Sequence, residues 1–521
     1  MSEEADAILK MENITKVYPN GIIANKGVNF SVTAGEIHGL VGENGAGKTT
    51  LMQILFGLNH PEKGKILLEG REITIGNPNA AIAYGIGMVH QHFMLVPSLS
   101  VAENLVMGVE PRKGLKLDTA EAIRITEELS EKYNLNVDAR SAVRDLPVGT
   151  KQKVEILKAL HRGARILILD EPTAVLTPQE TDELFDELKL LKDQGNTIIF
   201  ISHKLNEIKA LCDRVTIMRS GKSQGVFDVA DVSEQDISRL MVGRDVILQV
   251  EKEPAVPKEA VLQVKDLTIV NRFRKHAVDD ISFSVRKGEI LGIAGVEGNG
   301  QRELVEALTG LGKYAAGDIS ITGKDIKKLS IRGIRDLGTS HIPEDRMTYG
   351  CAADLSIEMN LISYKHDHPD LNRKSFLMDM NAIKDVSREL VEEYRILCST
   401  PQQEVRRLSG GNIQKVVVAR EFSSDPRLII ADQPTRGIDV GATEFIRKRL
   451  VELRDEGSAV LLISADLNEV MELSDSLIVM YGGKITAYIE DASSISEEKL
   501  GLYMLGLESQ SEDEIGRVCH D

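Results

Sequence analysis

The chain has 521 residues, of which 42% are hydrophobic and 27% charged, with no tryptophan. That is the make-up of a globular protein long enough for about three ordinary domains. Acidic residues (80) outnumber Lys and Arg (63), leaving a net charge of −17, a balance that argues against a nucleic-acid backbone as the main partner. The four cysteines, Cys212, Cys351, Cys398 and Cys519, are scattered without C-x-x-C spacing, so neither a disulfide framework nor a zinc site is expected.

The opening MSEEADAILK is acidic and lacks the basic-then-apolar pattern of a secretion signal. Strand-like alternation follows, then the apolar run EIHGLV at 36–41, which reads as a short buried strand, and then GENGAGKTT at 42–50. The last of these is G-x-x-x-x-G-K-T, a phosphate-binding loop. Gly42, Gly45 and Gly47 leave backbone N–H groups to wrap phosphates at a helix N-terminus, with Glu43, Asn44, Ala46 and Thr50 completing the cradle. Lys48 is expected to reach the β- and γ-phosphates, and Thr49 to place its hydroxyl on Mg²⁺, a hard cation that prefers oxygen ligands.

The segment DTAEAIRITEELSEKY at 118–133 predicts an amphipathic helix started by Asp-Thr, the clearest part of a mainly helical insertion. The run RILILDE at 165–171 is a buried strand delivering two carboxylates at its C-terminal end, where α/β folds bind ligands. There Asp170 is expected to hold the metal through water and Glu171 to polarise an attacking water. The next strand, TIIFISH at 197–203, ends in His203, placed to hydrogen-bond a γ-phosphate. Gln91, in VHQHF, suits a γ-phosphate sensor between core and helical insertion, and Tyr18, read as preceding the strand region, suits stacking on a base. The apolar runs, 198–201 and 460–463 among them, are strand-length, far short of the roughly 18 residues that span a bilayer.

The pattern then repeats. A shift of 253 positions lays GVEGNGQRE at 295–303 over the phosphate loop, and a shift of 262 lays Leu408 over Leu146, Asp432 over Asp170 and Ser464 over Ser202. The second copy thus carries nine extra residues, placed in the helical stretch between. Two copies, 1–245 and 262–521, joined by a short Pro- and charge-rich linker at 246–261, are the domain organisation this predicts. Each copy is expected to be an α/β core of interior parallel strands with a helical subdomain.

These residues, in this order, resemble the ATP-binding-cassette family over essentially the whole chain, twice. The resemblance implies a tandem pair of P-loop ATPase domains meeting head to tail, so that each ATP lies between one domain's phosphate loop and the other's signature, normally LSGGQ. In the second copy that signature is Leu408, Ser409, Gly410, Gly411 and Asn412; in the first it is LPVGT, where Pro147 lacks a hydroxyl and an N–H and Val148 puts bulk where backbone must approach phosphate. Conversely, Gln301 stands for Lys48, Arg302 for Thr49, Glu344 for Gln91, Gln433 for Glu171, Ala465 for His203 and Asn271 for Tyr18. The resemblance therefore implies one complete ATP–Mg²⁺ site, from the catalytic loops of the first copy and the signature of the second, and one deficient site. It also implies an energy-coupling ATPase of a bacterial importer of simple sugars or nucleosides, the nucleoside branch being most similar. The implied partners are two transmembrane permease subunits and an extracytoplasmic solute-binding protein, with the chain peripheral at the cytoplasmic face of the membrane, no nucleic acid and no bilayer insertion. The alternative is a tandem ATPase acting on ribosomes or other nucleoprotein assemblies, a class that typically keeps two competent sites and a long charged linker.

Overall fold

A computed structural model describes residues 7–18, 21, 23–43, 45–91, 93–114, 116–173, 176–202, 204–243, 252–271, 275–296, 298–373 and 377–519. Three readings fall partly or wholly outside these residues: Asn44 and His203 are not described, nor are residues 246–251 of the linker. The chain divides into two compact units, 1–246 and 247–521.

In the first unit a six-stranded sheet runs in the order Lys222–Asp228, Arg214–Arg219, Ile37–Gly42, Thr197–Ile201, Ile166–Asp170, Ile86–Val89. All neighbours are parallel except the outer Lys222–Asp228 strand. Strands Ile37–Gly42, Ile166–Asp170 and Thr197–Ile201 are buried at every residue, because helices or a second sheet cover both faces; they read as continuous apolar runs for that reason. The second sheet is antiparallel, in the order Ile23–Thr33, Ala7–Val17, Lys63–Leu68, Arg71–Ile73. Helix Lys48–Leu55 lies between the two sheets: its Leu51, Met52, Ile54 and Leu55 pack with Leu9, Met11, Phe30 and Ile66 on one side and Leu40, Ile168 and Ile199 on the other.

The second unit repeats this plan, with the sheet order Thr339–Ile342, Leu428–Asp432, Ala459–Ile463, Ile290–Ala294, Ser476–Tyr481, Lys484–Ile489 and a four-stranded antiparallel sheet beside it. Helix Thr119–Tyr133 starts as expected, its Asp118 side chain accepting from the Glu121 N–H. Its counterpart is Met380–Glu393, capped by Asp379. The additional residues of the second unit enter mainly at the π-turn Arg346–Gly350 and in the stretch before Asp379, which holds the short hairpin Asn372–Arg373 with Leu377–Met378. All four cysteines are free thiols.

Candidate functional site

In the first unit, strand Ile37–Gly42 carries the chain out of the sheet into the glycine-rich loop. Gly45 and Gly47 are left-handed (φ +83 and +98). A Cβ on Gly47 would sit 2.3 Å from the Ala24 carbonyl, so glycine is the residue this close approach admits. Helix Lys48–Leu55 has neither a side-chain cap nor an acidic residue in its first turn; its N-terminal amides and dipole favour an anion.

Lys48 is only 6% exposed and donates to the loop's own carbonyls, Gly42 O at 2.6 Å and Glu43 O at 3.3 Å. Burial pulls its pKa down, opposed by the carboxylates of Glu171 and Asp170. Asp170, last residue of its strand, accepts a hydrogen bond from the Thr49 hydroxyl; burial and the neighbouring Glu171 nonetheless push its carboxyl up to about 6. Such a group is short of positive charge. The Thr49 hydroxyl, the Asp170 carboxylate and the Gln91 side-chain amide oxygen are hard oxygen donors of the kind Mg²⁺ takes. Glu171 follows in left-handed backbone (φ +48), with its N–H on Ile201 O at 3.0 Å and its Oε2 accepting from Gln91 Nε2 at 3.1 Å. Gln91 and Glu171, read from sequence as sensor and acid, are therefore in contact.

Tyr18 differs from its sequence reading in one respect: it follows the strand Ala7–Val17 instead of preceding the strand region. It lies beside the loop, with its hydroxyl 3.2 Å from Thr50 Oγ1 and Lys16 Nζ 5.8 Å from its ring centre.

Two contributors escaped sequence reasoning. Glu207, 4% exposed, accepts from Thr173 Oγ1 at 2.7 Å and Ser202 Oγ at 2.6 Å, tying together the segments that follow the two strands bearing Asp170 and Ile201. Laying the copies over each other was the available signal, since Thr435 and Glu469 recur at the same shift and bond at 2.7 Å. Asn25, fully buried, donates to Gly47 O at 3.2 Å and steadies the loop from below.

The second unit has the same backbone and different side chains. Gly298 and Gly300 are left-handed (φ +96 and +103), and a Cβ on Gly300 would lie 2.2 Å from Ala277 O. Gln301 occupies the place of Lys48, its Nε2 on Val296 O at 3.2 Å. Arg302 pairs with Glu306 at 3.1 Å, and Glu344 pairs with Arg436. Gln433 is left-handed (φ +52) like Glu171, but its Oε1 accepts from the Ala465 N–H at 3.0 Å. Burial and Glu344 push Asp432 up to about 7, against the Glu344 N–H, Arg436 and Arg302.

Ser409 is the N-cap of helix Gly410–Phe422 without spending its hydroxyl on the helix amides; it accepts instead from Asn412 Nδ2 at 2.9 Å. A Cβ on Gly411 would meet Asp439 Oδ2 at 2.4 Å, so Asp439, itself the N-cap of Val440–Asp455, packs against this helix start. In the first unit Pro147 is the N-cap and Val148 the first residue of Val148–His161, with no side-chain cap.

A family model described as ABC transporter matches residues 25–174 and 278–436. The chain is 44% identical over 501 residues to the nucleoside import ATP-binding protein NupA of Lactococcus lactis subsp. cremoris, covering 96% of this chain and 98% of that one. It is 43% identical over 533 residues to the glucose import ATP-binding protein TsgD13 of Haloferax volcanii, covering 96% of each. Among solved structures, that of the archaeal ribosome recycling factor aABCE1 in complex with the ribosomal stalk protein aP1 matches 92% of this chain and 90% of its own with a TM-score of 0.60. At 19% identity, that likeness is one of fold alone.

Proposed function

The chain belongs to the ABC transporter family, and from that premise we propose that it is the ATP-hydrolysing subunit of an importer of nucleosides or simple sugars. The observation that carries the reading is the constellation of Lys48, Thr49, Asp170, Gln91 and Glu171 around one phosphate loop, in a chain matched end to end by import ATP-binding proteins. Relatives named for a nucleoside and for glucose are equally similar, so the cargo is held at that class.

In this reading the loop amides and Lys48 hold the β- and γ-phosphates of ATP. Thr49, Gln91 and Asp170, the last through water, would hold Mg²⁺, which when bound would supply neutralisation of developing phosphate charge. Glu171 orients and polarises the attacking water, with Gln91 releasing its hydrogen bond to do so, and His203 contacts the γ-phosphate. Tyr18 stacks on adenine. Ser409, Gly410, Gly411 and Asn412 of the second unit complete the site on ATP binding, their helix N-terminus facing the γ-phosphate. Closure on ATP and reopening after hydrolysis then drive two permease subunits, which take cargo from an extracytoplasmic solute-binding protein. In this reading the chain is peripheral at the cytoplasmic face, held there by its permease partners; no helix among the described residues is long and apolar enough to cross a membrane.

The test is reconstitution with the permeases in vesicles, with a panel of nucleosides, ribose, galactose and glucose. ATP hydrolysis stimulated by one of these, and lost in Lys48→Ala, is the expected result. Hydrolysis stimulated by ribosomes and by none of the solutes would replace this reading with the nucleoprotein one.

A further inference from the structure

Two residues beyond the pair Gln91 and Glu344 the units part company. By the shift of 253, Arg346 stands where the first unit has Phe93, and it opens the π-turn Arg346–Gly350, a backbone form that recurs at functional sites. Asp345 builds this turn, its carboxylate accepting from the Met347 and Thr348 N–H groups at 3.0 Å each. Gly350 closes it against helix Gly410–Phe422, where a Cβ would come 3.2 Å from Val417 Cγ2. The turn brings the Arg346 side chain to the start of that helix. Its Nη1 donates to Arg436 O at 2.7 Å and its Nη2 to Gly437 O at 3.2 Å, and a Cβ on Gly410 would meet Nη2 at 3.0 Å. Arg436 and Gly437 belong to the loop between strand Leu428–Asp432 and helix Val440–Asp455, the loop that ends in Asp439. One guanidinium therefore touches both the signature helix start and the loop that sets Asp439 beside Gly411.

Packing does not account for the charge. Arg436 has Glu344 as its partner and Arg420 has Glu421, whereas Arg346 makes no ion pair among the described residues, the Asp345 carboxylate being engaged by the turn. The side chain is half-buried, and burial pulls its pKa down against the nearby Asp345. A cation taken partly out of water without a counter-charge works against stability, and a neutral amide could have met either carbonyl. What the arginine adds is a planar fork that holds two successive carbonyls in fixed geometry, and a full positive charge beside the partial one of a helix N-terminus.

Resting on the family reading above, we infer that Arg346 is a positioning residue for ATP hydrolysis: it clamps the loop bearing Asp439 to the signature helix start, and so fixes the Ser409 hydroxyl and the Gly410 and Gly411 amides in the arrangement the γ-phosphate requires. The residue goes with the intact signature. The first unit, whose signature is LPVGT, has in its place the Phe93 side chain, which has no donor. In that reading Lys48, the phosphate loop and Tyr18 capture the nucleotide from the first unit, so the clamp bears on the hydrolytic step and leaves capture alone.

The experiment measures steady-state ATP hydrolysis by the full chain assembled with its permeases in vesicles, beside ATP binding by dialysis and a thermal melt. Arg346→Gln, which keeps a donor and removes the charge and the fork, should lower kcat about 10²-fold, the cost of holding groups about 1 Å out of place, and change KM less than about three-fold. Arg346→Lys, which keeps the charge but cannot span both carbonyls, should fall between. ATP binding and the melt should follow wild type in both. Wild-type kcat in Arg346→Gln overturns the inference, as does wild-type kcat in Arg346→Lys, which would make charge alone sufficient. A loss of kcat matched by losses in ATP binding and melting temperature also overturns it, since the side chain would then be holding the fold. If Arg346→Gln does not fold, the lysine variant decides by the same criteria. A complex that loses its activity in Lys48→Ala and keeps it in Arg346→Gln would refute this inference and leave the proposed function standing. A wild-type complex without ATPase activity would refute the proposed function instead.

Discussion

Replacing Lys48 by methionine separates the folding role of this side chain from its role in binding. The aliphatic stem is buried between the sheets' helix and the loop, and methionine keeps most of that volume. Without nucleotide, the ammonium makes hydrogen bonds of 2.6 and 3.3 Å to Gly42 O and Glu43 O, each worth about 1–3 kcal/mol when charged. It gives up hydration to do so, as its lowered pKa reflects. The two effects oppose each other, so the nucleotide-free variant should melt within a few degrees of wild type. With Mg²⁺–ATP present the balance changes, since a buried polyphosphate loses its principal cationic side chain at about 2–5 kcal/mol. At about 1.4 kcal/mol per decade, that is a loss of roughly 30-fold to several thousand-fold in affinity. Thermal melts with and without ATP, read beside Mg²⁺-dependent ATP binding by dialysis, measure both. A Lys48→Met chain binding Mg²⁺–ATP within three-fold of wild type would refute the assignment, and a collapse in the nucleotide-free melt would show Lys48 to be a folding residue first.

Glu171→Gln should bind ATP normally and slow single-turnover hydrolysis by roughly 10²- to 10⁴-fold, because the amide keeps the shape and loses the base; unimpaired single turnover would place the base elsewhere. Ser409→Arg should stop steady-state ATPase in the assembled complex, whereas Pro147→Arg, at the equivalent helix start, should be much milder; matching losses would contradict a single dominant site. Acid should destabilise the first unit. His38 is fully buried, on Glu36 at 2.9 Å and Thr216 at 2.7 Å with Arg214 and Asp213 nearby; burial lowers its pKa, so below about pH 6.5 the unfolded chain takes a proton that the folded one refuses. Burial raises the Glu36 carboxyl, but hydrogen bonds from His38 and Arg214 outweigh it and hold it at about 2; its contribution, about 2–3 kcal/mol after solvent screening, is present above pH 4.5 and is lost as pH falls toward 2. The second unit has Leu291 and Ile478 in the places of His38 and Thr216. The second unit carries a histidine of its own, His341, which burial holds down to about 4, so the test is made within the first unit: calorimetry from pH 7 to 4 should show its transition falling, and His38→Leu with Thr216→Ile should flatten that response above pH 4.5; an unchanged slope in the double variant would reject the account.

The parts of this molecule that were legible in sequence are those where backbone geometry dictates residue type. Gly47 is forced by the Ala24 carbonyl, the run ending in Asp170 by burial on both faces of a parallel sheet, and the helix at Thr119 by its Asp118 cap. What was illegible depends on partners distant in the chain. Nothing around Glu207 distinguishes it from any helical glutamate until Thr173 and Ser202 converge on it. The pairing of Glu344 with Arg436 spans 92 positions and joins two loops whose approach only the sheet order sets. Tyr18 was misplaced relative to its strand because the first strand carries several register irregularities against its neighbour, which blur the two-residue alternation by which strands are read.

Glu171 and Gln433 share one further property. Each is a non-glycine residue held in left-handed backbone, with its N–H on the end of the adjacent strand, Ile201 O at 3.0 Å and Ile463 O at 2.8 Å. That conformation costs about 1–2 kcal/mol, and the second unit retains it although its side chain is an amide rather than an acid. The awkward turn is thus dictated by how the sheet hands its chain to the next loop, and chemistry at its tip is optional. Gln433→Glu would therefore set a carboxylate at the place of Glu171 with no rearrangement of the main chain. In the family reading, rearming such a chain would further take exchange of the side chains at 301, 302, 344 and 465, and of Pro147 and Val148 at the first unit's helix start.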